Sequence, residues 1–153
     1  MSRFIFAVIL ACSLGACGSD SNRLYGSVSE VYSLSFDRVQ IFRIGGQISI
    51  EYQRLSGQNI QAKVAKLTVT VSDLANMAGN DIDLTEMVAG LPRGTMQRVE
   101  STTTDFRLQT GSVRFNQEPT AGTNLGGSFH TTLDDPAAGR TLNGDFQAEV
   151  VAP

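Results

Sequence analysis

The sequence predicts an all-β domain, an antiparallel β-sandwich or a small β-barrel, with one loop or short helix around residues 73–90. Three observations point there. Apolar residues recur at every second position in a succession of short runs, the spacing of strands with one buried face. Clusters of Gly, Pro, Asp and Asn separate those runs. In the body of the chain no apolar stripe of helical period persists for several turns, which leaves sheet on sheet as the way to bury a core.

Taken in order, Tyr32, Leu34 and Phe36 alternate with Ser33 and Ser35, and Val39 and Ile41 continue past Asp37-Arg38, as one strand with a break or bulge. Gly45-Gly46 marks a hairpin turn, and Ile48, Ile50 and Tyr52 alternate with polar residues on the return strand. Val64, Leu67, Val69 and Val71, set against Lys66, Thr68 and Thr70, make another half-buried strand. From Asp73 to Gly90 the apolar residues Leu74, Met77, Leu84, Met87 and Val88 keep no clean period. Gly79-Asn80-Asp81 splits this stretch and Leu91-Pro92-Arg93-Gly94 closes it, so it reads mostly as loop, with a helical turn near Leu84 to Ala89.

Thr95 to Glu100 follows as a strand with Met96 and Arg98 on one side. Phe106 and Leu108, then Val113 and Phe115 beyond Thr110-Gly111, make a hairpin or a bent strand before a loop from Pro119 to Gly122. Phe129, Thr131 and Leu133 form the next run, and Asp134 to Arg140 the connecting loop. Leu142, Gly144, Phe146, Ala148 and Val150 form the last strand, in which Gly144 is expected as a glycine bulge rather than as half of an Asn143-Gly144 turn.

Ahead of the domain, Arg3 ends a short basic segment and the run from Phe4 to Ala16 carries no charge, which is a signal-peptide pattern. The run is shorter than the ~20 apolar residues that cross a bilayer. Its end, Leu14-Gly15-Ala16-Cys17, resembles the lipobox of bacterial lipoproteins: an aliphatic residue, two small ones and the cysteine. The resemblance implies a signal peptide 1–16, cut before Cys17 by a peptidase that reads Leu14, Gly15 and Ala16. It further implies a diacylglyceryl group on the Cys17 thiol and a second acylation, such as palmitate, of the new N-terminus. Gly18, standing where aspartate favours inner-membrane retention in Gram-negative lipoproteins, implies the outer membrane, facing the periplasm or the cell surface; in a Gram-positive source the same anchor implies the outer face of the only membrane. Each buried methylene is worth ~0.8 kcal/mol, so two or three acyl chains hold firmly. The expected organisation is then a lipidated tether at 17–23 and a single β domain at 24–153, a size that one core serves.

The chain has two cysteines, Cys12 inside the segment to be discarded and Cys17 at the anchor, so no disulfide is expected in the domain. The formal charge of −3 becomes one unit more negative once Arg3 is lost. Lys63 and Lys66 are the only lysines, which offers neither a nucleic-acid surface nor a polybasic membrane contact.

Catalytic motifs are sparse. The single histidine, His130, follows inward-facing Phe129 on a strand and so points outward, and any Ser-His-Asp or zinc site would have to be built around it alone. Asp81, Asp83 and Glu86, with Asn80, have oxygen ligands suited to calcium but not the ordered spacing of a calcium loop. Capping of a short helix by Asp83 or Thr85 is the expectation. Asp134-Asp135-Pro136, with Gly139 and Arg140, reads as a solvated turn with an Asp134 to Arg140 contact, because adjacent carboxylates diverge. Gly126-Gly127 precedes a strand, so it aims no helix amides at a phosphate. No catalytic, cofactor or metal site is therefore assigned. The reading is an envelope lipoprotein acting as a structural or interaction module, with the membrane (through Cys17) and an envelope protein as partners. The alternative is a carrier of a lipid or other apolar ligand, and a carboxylate-based hydrolase stands third.

Overall fold

The computed structural model describes residues 21–152; the lipobox and the segment before it lie outside the described residues. The elements are β1 (Arg23–Tyr25), a 3₁₀ turn (Ser27–Glu30), β2 (Arg38–Ile44), β3 (Gln47–Ser56), β4 (Asn59–Thr70), β5 (Asp81–Asp83), β6 (Met87–Val88), β7 (Leu91–Pro92), β8 (Gly94–Val99), β9 (Thr103–Phe106), β10 (Leu108–Phe115), β11 (Asn124–Leu133) and β12 (Thr141–Val151). Ten strands form one sheet in the order β5-β10-β11-β12-β2-β3-β4-β8-β9, with β1 also on β12, while β6 and β7 pair separately. The path ends at β5 and β9 without closing, so the fold is an all-β sandwich and not a barrel.

The sheet is mixed rather than purely antiparallel. β12 and β2 run parallel and meet only at Val150↔Ile41 and Val151↔Phe42. Around this narrow joint the two halves face each other. Tyr52 on β3 donates its hydroxyl to the Asp145 carbonyl on β12 at 2.7 Å, and its ring lies edge-on to Phe129 at 6.1 Å. Burial, and then the Asp145 charge, raise the Tyr52 phenol, so it stays protonated and donating. Ile48, Ile50, Leu67 and Val69 from one half meet Val113, Phe115, Phe129, Leu142 and Phe146 from the other, all buried. Each such side chain contributes ~1.5–3 kcal/mol by leaving water.

Gly144 is not a bulge. β11 and β12 pair in continuous register from Asn124↔Glu149 to Thr132↔Thr141. A Cβ at Gly144 would stand 2.5 Å from the Phe129 ring and 2.6 Å from the Tyr52 hydroxyl, so the glycine makes room for two core aromatics. At Gly111 the bent-strand alternative is the one realised: β10 is a single strand whose register shifts between Leu108 and Thr110.

Residues 32–36 keep the expected alternation of burial but pair with no strand. Arginine side chains satisfy this backbone instead. Arg54 donates to the Ser35 carbonyl from Nε and Nη2, each at 3.1 Å, and Arg98 donates to the Ser33 carbonyl at 3.0 Å. Tyr32 and Phe36 cap the core edge-on to Phe106 and Tyr52, and the Arg98 guanidinium lies 5.3 Å from the Tyr32 ring centroid.

No helix forms at 73–90; the helical turn expected near Leu84 to Ala89 is a β6–β7 hairpin. Ala89 (φ 50) and Gly90 (φ 83) are both left-handed, as a two-residue hairpin turn requires. Arg93, its side chain 1% exposed, holds the segment. It grips both carboxylate oxygens of Asp73 at 2.8 Å, Glu86 Oε2 from Nε and Nη2 at 3.0 and 2.8 Å, and the Thr70 carbonyl at 2.9 Å. These contacts use every donor of the guanidinium. The domain also begins earlier than expected. Ser21 and Asn22, assigned to the tether, bond to Gln147, and Arg23 pairs with Asp145 at 2.7 Å.

Candidate functional site

The outer face of the β5-β10-β11-β12 half presents a shallow groove of about 590 Å³. Strand alternation builds it: Ile82, Val113, Phe129 and Leu142 point into the core, so Asp81, Asp83, Ser112, His130 and Asn143 point out. Register then sorts them into rows. Asp83 lies opposite Ser112, Ser112 opposite His130, His130 opposite Asn143, and Asn143 opposite Tyr25. A parallel row runs Thr110, Thr132, Thr141. Neighbours within a row are ~5 Å apart and the rows ~7 Å apart. The result is a regular grid of hydroxyl, imidazole, amide and carboxylate groups.

His130 is exposed, as its strand position predicted. The row order does not make a catalytic triad. A triad needs the imidazole between the hydroxyl and the acid, whereas here Ser112 stands between Asp83 and His130, leaving the acid two strands from the ring. Asp83 is also engaged elsewhere: its Oδ1 accepts the Thr85 amide at 2.8 Å and the Thr85 hydroxyl at 2.7 Å, bonds that hold its carboxyl below the usual range. Asn143 Oδ1 accepts from the Thr131 amide at 3.3 Å. Ser112 and His130 make no side-chain hydrogen bond among the described residues. Their polar atoms are unspent.

The structure separates the other singled-out residues. Asp81 and Asp83 share the groove, but Glu86 turns away to Arg93, so the three carboxylates do not converge, and no cluster of three metal-binding side chains occurs among the described residues. Asp83 caps a turn at Thr85, with no helix behind it. Asp134 pairs with Arg107 at 2.8 Å and Arg140 with Glu30, so the expected Asp134 to Arg140 contact is absent. Arg107 is the nearer partner because its backbone is bonded on both sides to the loop at Asp134 and Asp135. Gly126 and Gly127 lie within β11, where a Cβ on Gly127 would meet the Arg114 carbonyl at 2.3 Å and the Phe146 ring at 2.5 Å.

Sequence reasoning did not single out Ser112, Asn143 or the threonine row. The alternation of Ser112 with Val113 and of Asn143 with Leu142 signals an outward side chain. What brings them to one place is cross-strand register, which alternation alone does not state. Comparison with protein-family models, curated proteins and solved structures finds no match for this chain.

Proposed function

We infer that the protein is a lipid-anchored module of the bacterial envelope that works by binding, through the polar grid of β5, β10, β11 and β12, a hydroxyl- or amide-rich envelope component. The observation that carries the binding half is the row Asp83, Ser112, His130, Asn143, where hydrogen-bonding groups stand in register on an open face and two of them are unspent. Such groups on a rigid sheet orient a polar ligand with little ordering cost. The same row supports binding over catalysis, since a nucleophile would lack an acid-oriented imidazole there. The anchor half rests on Leu14-Gly15-Ala16-Cys17. The carrier alternative draws less support, because Phe36, Tyr52, Phe115, Phe129 and Phe146 pack against one another.

The test of the anchor is expression of the full chain in a Gram-negative host fed an alkyne-tagged palmitate. The wild type should incorporate the tag and sediment with membranes. Cys17→Ala should lose both while keeping the fold. Equal labelling of the two proteins would defeat the reading.

A further inference from the structure

Resting on that anchor reading, we propose that the apolar corner of Phe42, Ile44 and Val151 lies on the bilayer beside the lipidated cysteine. The direction of the chain argues for it. β1 runs antiparallel along one edge of β12, Arg23 opposite Asp145, and Ser21 reaches Gln147. The chain therefore enters the described structure from the side of the C-terminal end of β12. The four residue steps from Ser21 back to Cys17 span at most about 14 Å, and Val151 stands the same number of steps beyond Gln147, about 13 Å along the strand. From Val150 onward β2 occupies that edge. The corner where β2 and β12 end therefore lies within reach of the anchor.

Three apolar side chains stand on the outer side of that corner, with Gln47 and Glu149 at its margin. Ile41 and Val150 are buried, which turns their neighbours Phe42 and Val151, themselves paired, away from the core. Val151 is 42% and Ile44 59% exposed, and Ile44 shares the outward side of β2 with Phe42. Acyl chains on Cys17 must enter lipid within the reach of the tether, so a lipid surface is the apolar partner brought to this patch. Ile60, also exposed at 46%, sits at the far end of the β3–β4 hairpin and should stay in water. The arrangement also stations the groove. Asn143 lies about 26 Å from Val151 along β12, clear of the headgroups.

The experiment uses full-length lipidated protein in phosphatidylethanolamine and phosphatidylglycerol vesicles, with a nitroxide at Ile44→Cys, Val151→Cys or Ile60→Cys. Acylation of Cys17 leaves the introduced thiol as the labelling site. Labels at 44 and 151 should collide several-fold more with oxygen than with a water-soluble nickel chelate, and the label at 60 should not. A label at 44 as accessible to nickel as the label at 60, on protein that is acylated and floats with the vesicles, overturns the proposal. So does spin–spin broadening at 44, which would place a second copy there. Protein that carries no lipid on Cys17 and does not float overturns the anchor reading first, and this inference with it.

Discussion

The two outer faces of the sandwich are built from the same residue types and use them differently. On β3 and its neighbours β2 and β4 the charged and amide groups are consumed by one another, with the buried Ser49 hydroxyl left without a partner: Glu51, 4% exposed, accepts from Lys63 and from Gln53, each at 2.8 Å, and Gln53 in turn accepts from Arg38 at 2.8 Å. On β10, β11 and β12, Ser112 and His130 stand exposed or half-exposed and are bonded to no side chain among the described residues. A buried charge survives only when paired, so the first face is organised by stability. The ion pairs of the second face, Arg23 with Asp145 and Arg114 with Asp81, are more exposed, and they leave Ser112 and His130 open to a ligand.

Substitutions should separate the two faces, beginning with the clip that holds the rim of the second. Arg93→Ala is expected to cost about 3 kcal/mol, because it removes a buried, fully bonded guanidinium and frees the segment that carries β5. Urea denaturation checks it, and a loss below about 1 kcal/mol would mean that the exposed Asp73 and Glu86 simply rehydrate. The same clip sets an acid response. The Arg93 hydrogen bonds hold the Asp73 carboxyl below its ordinary value, so their stabilisation is present above the unfolded carboxylate range, ~3.9, and is lost as pH falls through the lower folded value. Asp73→Asn should flatten the acid limb of a Tm-versus-pH curve; an unchanged limb would remove Asp73 from the account.

Next in size is Glu51→Gln, expected to cost ~2 kcal/mol by leaving Lys63 and Lys66 facing a neutral group on a buried strand. Ala89→Asn should stabilise by ~0.5–1 kcal/mol, since asparagine followed by Gly90 suits the left-handed turn that Ala89 adopts at φ 50. Smallest of all, His130→Gln and Ser112→Ala should move stability by less than ~0.5 kcal/mol, because neither side chain is bonded within the domain. A loss near that of Glu51→Gln would make the second face structural after all.

Much of the fold was legible because period-two alternation is a local signal. It identified the β2–β3 hairpin at Gly45-Gly46, the outward His130 and the inward Phe129. What it missed depends on distant partners. The run at 32–36 alternates like a strand, yet Arg54 and Arg98 bind its backbone where a neighbouring strand would have. The stretch 73–90 lacks a period because Arg93 organises it, and an arginine in a Pro-Arg-Gly turn announces no buried clip. Gly144 signals a bulge as readily as a place for the Phe129 ring. The candidate site was half visible. Asp81, Asp83 and His130 stood out by residue type, while Ser112, Asn143 and the threonine row joined them only through register.

The division of labour between the faces is tested most directly by photo-crosslinking in the intact envelope, with benzoylphenylalanine placed at His130 on one face or at exposed Thr95 on the other. A discrete adduct from position 130 that Asn143→Ala weakens, and none from position 95, is the expected result. Adducts from position 95 alone, or equally from both, would contradict it.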